Sequence, residues 1–96
     1  MDQTLDAQLA QIVTLAFEKN ATDIIVIVGI TPLLRIDGRL ISIQNFSSLT
    51  DDDMNRWIQS TMIDTQFDIF CAHKELDYAF SYENVRFRAN AYFQQG

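Results

Sequence analysis

Cysteine occurs once in the 96 residues, at Cys71, and histidine once, at His73. A lone cysteine excludes an internal disulfide, so the chain reads as a reduced, cytoplasmic protein. Beside Phe70 in an expected helix, Cys71 is read as a small buried hydrophobe and not a nucleophile. His73 has no ligand-spaced partner around it, so a surface or helix-end role is expected rather than that of a catalytic base. Glycine is also scarce: Gly29, Gly38 and Gly96 stand isolated, no lysine follows a glycine-rich turn, and there is no glycine-serine elbow. These gaps remove a phosphate-binding loop and a nucleophilic triad, so these 96 residues are not expected to be catalytic by themselves. The longest apolar run, Ile24 to Val28, falls far short of the ~20 residues a membrane span requires. Basic residues are few, seven against thirteen acidic ones, and the net charge of −6 repels phosphate backbones and anionic lipid. Nucleic acid is therefore not an expected partner.

What is present is a folded domain. Hydrophobic residues make up 48% of the chain, enough for one compact core in a single domain spanning 1–96. Leu5, Leu9, Ile12, Val13, Ala16 and Phe17 form one stripe of an amphipathic helix, with Asp2 and Asp6 near its start and Lys19 near its end. The β-branched run Ile24 to Val28 predicts a central strand buried on both faces. Leu33 to Ile36 and Arg39 to Ile43 flank Asp37-Gly38, a two-residue hairpin signal. Arg35 and Arg39 at that turn are read first as solvated surface. Leu49-Thr50-Asp51-Asp52-Asp53-Met54 predicts a helix start with Thr50 as cap, Asp53 as its reciprocal partner and a Leu49–Met54 staple. Consecutive carboxylates point in different directions in a first turn and favour the positive end of the dipole, so capping is preferred to a metal site. A buried stripe continues through Met54, Trp57, Ile58, Thr61 and Met62. A further short helix starts at Asp64 with Phe67, Phe70 and Cys71 inward.

The last quarter predicts a hairpin. With Glu83-Asn84 as a two-residue loop, Tyr82 pairs with Val85, Phe80 with Phe87 and Tyr78 with Ala89, while Ser81 meets Arg86, Ala79 meets Arg88 and Asp77 meets Asn90. Apolar then faces apolar throughout, and a one-residue slip would bury the arginines. Glu-Asn is not the preferred turn pair, which leaves room for a longer loop. Arg86 and Arg88 share the polar face, about 7 Å apart. The plain reading of Arg88 is a surface ion pair with Asp77, diagonal to it.

Four segments carry a resemblance. Ala21-Thr22-Asp23, then Gly29 through Leu40 (G-I-T-P-L-L-R-I-D-G-R-L), then Glu75 through Ser81 (E-L-D-Y-A-F-S), then Arg86 through Gly96 (R-F-R-A-N-A-Y-F-Q-Q-G) resemble, in order and spacing, the N-terminal domain of PilT-type pilus retraction ATPases. Each motif is weak alone; four in order are fairly specific. The resemblance implies an α+β, PAS-like domain: an N-terminal helix, a central and mostly antiparallel sheet of about five strands, and two helices between two hairpins. It further implies that a RecA-like ATPase domain follows residue 96, that the parent protein binds ATP and Mg and assembles as a homo-hexamer, and that it works with an inner-membrane pilus platform protein, peripheral to the inner membrane on its cytoplasmic side. Arg88, the second arginine of R-F-R, then contacts nucleotide in the full-length hexamer, with Arg86 beside it; no residue of this chain is implied as catalytic or as a metal ligand. Two departures stand out: Ile25 occupies the place of the family's usual histidine, and the turn before Arg86 lacks the common glycine. A retraction ATPase, its accessory paralogue and a related secretion ATPase therefore all stay open. Two alternatives of other classes also stand beside this reading. A free-standing PAS-like sensor would need an apolar pocket, with Phe67, Phe70, Tyr78, Phe80 and Phe87 able to line or to fill it. An oligomerisation scaffold would meet only protein with the polar face of the last strand.

Overall fold

The computed structural model describes residues 7–93, so the expected helix start at Leu5, with Asp2 and Asp6, and the end of the chain from Gln94 lie outside the described residues. The elements run α1 (Ala7–Glu18), β1 (Asp23–Ile27), β2 (Leu33–Ile36), β3 (Arg39–Ser42), α2 (Asp51–Thr61), α3 (Asp64–His73), β4 (Glu75–Tyr82) and β5 (Val85–Tyr92). This is the expected α+β architecture. The five strands form one mixed sheet in the order β3-β2-β1-β5-β4, antiparallel except where β1 meets β5.

Local chemistry explains each boundary. α1 stops because Asn20 turns left-handed (φ 56°) and the amides of Asn20 and Ala21 cap the carbonyls of Phe17 and Ala16, a double closure that asparagine tolerates better than most residues. Leu9, Ile12, Val13 and Ala16 are its buried stripe. Phe17, expected on that stripe, is instead 60% exposed. At about 100° per residue it sits at the stripe's edge, nearly a quarter turn from the centre. Thr50 opens α2: its hydroxyl accepts from the Asp53 amide at 3.1 Å, and its own amide donates to Asp53 Oδ2 at 2.9 Å. That reciprocal box is the expected one, with Leu49 and Met54 both buried beside it. Burial alone would raise the Asp53 pKa, but the two Thr50 hydrogen bonds and the Arg56 guanidinium hold it below the ordinary carboxylate value.

α3 departs from expectation. Phe70 is fully buried, while Phe67 and Cys71 are exposed. Cys71 lies about 100° round the helix from Phe70, too far to share its contact with the sheet. Lys74 ends α3 in the left-handed region, its amide bonding the Phe70 carbonyl at 2.7 Å. His73 is exposed in the last turn, as expected of a helix-end histidine.

The two hairpins follow the register predicted from alternation. β4 and β5 pair Tyr82 with Val85, Phe80 with Phe87 and Tyr78 with Ala89, and Ser81, Ala79 and Asp77 face Arg86, Arg88 and Asn90. The loop is indeed two residues: Glu83 (φ 48°) and Asn84 (φ 64°) are both left-handed, the primed turn that matches strand twist. Asp37 and Gly38 turn β2 into β3 in the same way. β1 is the central strand, with Ile24, Ile25 and Val26 buried, as its apolar run predicts.

The core lies between the sheet and the helices. Ile24, Val26, Leu34, Ala89 and Ala91 meet Trp57, Phe70 and the α1 stripe. Phe80 is ringed by aromatics: Trp57 edge-on at 5.5 Å, Phe87 stacked at 5.7 Å and Tyr78 tilted at 6.2 Å. These rings pack against one another in the interior. Among the described residues no helix is long and apolar enough to cross a membrane.

Candidate functional site

The chemistry-bearing side chains gather on the other face of the sheet. Strand alternation dictates this: once Ile24, Leu34 and Ala89 point to the core, Asp23, Arg35 and Arg88 must point away. The pairing then brings the three together. Asp23 is directly opposite Arg35 on β2, and the parallel register that sets Ile24 beside Ala89 sets Asp23 beside Arg88. Arg35 Nε lies 3.3 Å from Asp23 Oδ2 and Arg88 Nε lies 3.4 Å from Asp23 Oδ1. Thr22 Oγ1 donates to Asp23 Oδ2 at 3.1 Å. Asp23 is only 8% exposed, whereas the Arg88 side chain is 69% exposed.

This corrects the expected Arg88–Asp77 pair. Asp77 Oδ1 is taken by Asn90 Nδ2 at 2.7 Å, the residue directly across the ladder. The true partner is on β1, reached by a parallel pairing between segments 65 positions apart that a local alternation pattern does not encode. Arg35 likewise turns out not to be a merely solvated hairpin residue, while Arg39 is exposed as expected. Aligning β1 antiparallel to β2 across the Gly29–Pro32 turn was the available signal for Asp23 meeting Arg35.

Arg86 faces outward with Arg88 but leans the other way, its Nη1 donating to Ser81 Oγ at 3.3 Å. Below Ala89, β5 extends past the start of β1, and its residues Val85 to Phe87 have no partner on that side. A groove of about 300 Å³ occupies this gap, floored by Ala16 and Ile24 and rimmed by Phe17, Arg86 and Arg88. Ile25, standing where the family's usual histidine would be, is buried on the outer face between Leu33 and Asn90.

A guanidinium held by Nε keeps its two terminal nitrogens free to meet a planar or tetrahedral anion. Among the described residues the ion-pair partner of Arg88 is Asp23, met through Nε, and the side chain is 69% exposed, which leaves the terminal nitrogens open to such use. Two arginines against one carboxylate leave this cluster net positive on a chain of charge −6. The donor set therefore suits one phosphate group and not an extended polyanion.

The fold has a solved counterpart. It matches the crystal structure of the pilus retraction motor PilT with bound ADP at a TM-score of 0.69, with 31% sequence identity over 97% of this chain. The chain is thus similar, along nearly its whole length, to part of a PilT retraction motor, consistent with the resemblance its motifs carry. The chain spans 27% of that motor's length. No family model matches the chain, and no curated protein does. The resemblance carried by the four short motifs and the likeness of the whole fold thus agree, although one rests on residues and the other on backbone. In this chain Arg86 and Arg88 stand at the overhanging start of β5, with Arg35 across from Asp23 on β2.

Proposed function

We propose that this domain serves a hexameric type IV pilus retraction ATPase of twitching motility, packing on the ATPase core of its own and neighbouring subunits and extending Arg88 to the nucleotide bound there. The observation that carries the reading is Arg88 itself: an exposed guanidinium with a free fork, on a rigid strand of a domain that resembles a retraction motor along 97% of its length. ATP and Mg would be held by the core, which supplies the phosphate loop and the hydrolytic groups. Arg88, with Arg86 beside it, would neutralise charge on phosphate oxygens as the domains close, a contact that strengthens when water is expelled. The motor would be cytoplasmic, peripheral at the inner membrane, and coupled to a pilus platform protein.

The test is Arg88→Ala in the full-length protein. kcat/KM for ATP is expected to fall about tenfold or more, since phosphate-contacting arginines contribute strongly to phosphoryl transfer. An unchanged ATPase rate together with unchanged nucleotide affinity would remove Arg88 from the site. Calorimetry on the 96 residues alone is expected to find negligible ATP binding; a dissociation constant in the low micromolar range would contradict this division of labour.

A further inference from the structure

We infer that Asp23 is a positioning residue for Arg88: it grips the guanidinium by Nε and so fixes where the two terminal nitrogens reach. The inference rests on the reading of Arg88 as the nucleotide contact. Asp23 is suited to the task by its own immobility. It opens the central strand, with β2 on one side and β5 on the other, and the Thr22 amide bonds the Arg35 carbonyl at 2.8 Å immediately before it. Its carboxylate is held from three directions, Oδ2 by Thr22 Oγ1 and Arg35 Nε, Oδ1 by Arg88 Nε.

An exposed arginine is otherwise free to sample many rotamers, and ordering it on contact with a phosphate would cost much of that freedom. An ion-pair contact at Nε narrows that range beforehand without using Nη1 or Nη2. Arg88 is too exposed for the contact to add much stability, since an ion pair with one partner largely in water contributes little. Arg35 takes the other carboxylate oxygen, Oδ2, and leaves Oδ1 to Arg88. A guanidinium presented in this way suits a nucleotide phosphate, met along the edge of the fork.

The experiment measures kcat and KM for ATP in the full-length protein carrying Arg88→Ala, Asp23→Asn, Asp23→Glu and the Asp23→Asn/Arg88→Ala pair. Asp23→Asn is expected to lower kcat/KM about tenfold, the order of loss that follows a misplaced catalytic contact. The double variant should be no worse than Arg88→Ala alone, because both changes act through one group. Asp23→Glu, which keeps the charge on a longer arm, should recover part of the loss. Asp23→Asn with full activity beside an impaired Arg88→Ala overturns the inference, as does an equal loss from Asp23→Asn whether or not Arg88 is present. If Asp23→Asn does not fold, Asp23→Glu measured alone and together with Arg88→Ala answers the same question, since its smaller loss must disappear in the Arg88→Ala background. An inert Arg88→Ala is a different result: it removes the nucleotide contact itself, and this inference with it.

Discussion

The two faces of the sheet differ in nearly every property, although the same strands make both. On one face Ile24, Val26, Leu34, Phe80 and Ala89 are sealed under Trp57, Phe70 and α1. On the other, Asp23, Arg35, Arg86, Arg88 and Asp77 stand with their charges toward solvent or toward one another. Ala89 is fully buried and its neighbour Arg88 largely exposed. A period of two thus lets stability and the proposed phosphate contact occupy alternate residues of one strand. The consequence is separability: inner-face substitutions should cost folding free energy with no direct effect on a nucleotide, and outer-face ones should do the reverse.

The strongest test of that division is Trp57→Ala. Trp57 is buried, meets Phe80 edge-on and is the largest fully buried side chain. Removing an indole from such a place costs about 3–5 kcal/mol, a large part of the ~5–15 kcal/mol that holds a domain folded. Denaturant unfolding should show a midpoint moved strongly down. A loss under 1 kcal/mol would mean that the inner face is loosely packed and the contrast overstated.

Tyr78 gives a smaller and more specific effect. Its phenol oxygen lies inside the core, 2.6 Å from Thr61 Oγ1. Thr61 already donates to the Trp57 carbonyl at 2.7 Å, so the phenol is the donor in this bond. Tyr78→Phe should therefore cost about 1 kcal/mol. Burial raises the Tyr78 pKa well above its ordinary 10.0, and the bond to Thr61 offsets only part of that rise. In the unfolded chain the phenol ionises near pH 10. In the fold it stays protonated there. Stability that is whole below pH 10 is thus lost as the pH climbs beyond it, because only the unfolded state releases the proton. Tyr78→Phe should flatten this alkaline decline; an unaltered slope in thermal melts from pH 9 to 11 would assign the decline to other groups.

How far the sequence carried the reading depended on the range of the pattern. The whole β4–β5 register was legible because alternation on both strands admits few pairings, and the α2 cap was legible because Thr50 and Asp53 lie three residues apart. Even Glu83-Asn84, an unfavoured pair, gave the two-residue turn that the register required. The partner of Arg88 was not legible. It depends on β1 lying parallel to β5, a long-range pairing on which the hairpin pattern is silent. The inward assignment of Phe67 and Cys71 failed for a related reason: α3 touches the sheet chiefly through Phe70, and apolar character alone does not tell a covered helix face from a bare one.

The least costly change to the fold should be the one with the largest proposed effect on function. Arg88→Ala removes a side chain that is mostly in water and one 3.4 Å ion pair. Exposed pairs of this kind are worth ~0–1 kcal/mol. Asp23 would not be stranded by the loss, because Arg35 Nε and Thr22 Oγ1 still hold Oδ2. The buried carboxylate keeps a counter-charge, so the larger penalty of an unpaired buried ion does not arise. Arg88→Ala should therefore shift the unfolding midpoint by no more than ~0.5 kcal/mol while ATP turnover in the full-length protein falls. A shift of 2 kcal/mol or more would mean that Arg88 helps to hold the sheet together, and any loss of turnover would then reflect a damaged domain rather than a missing contact.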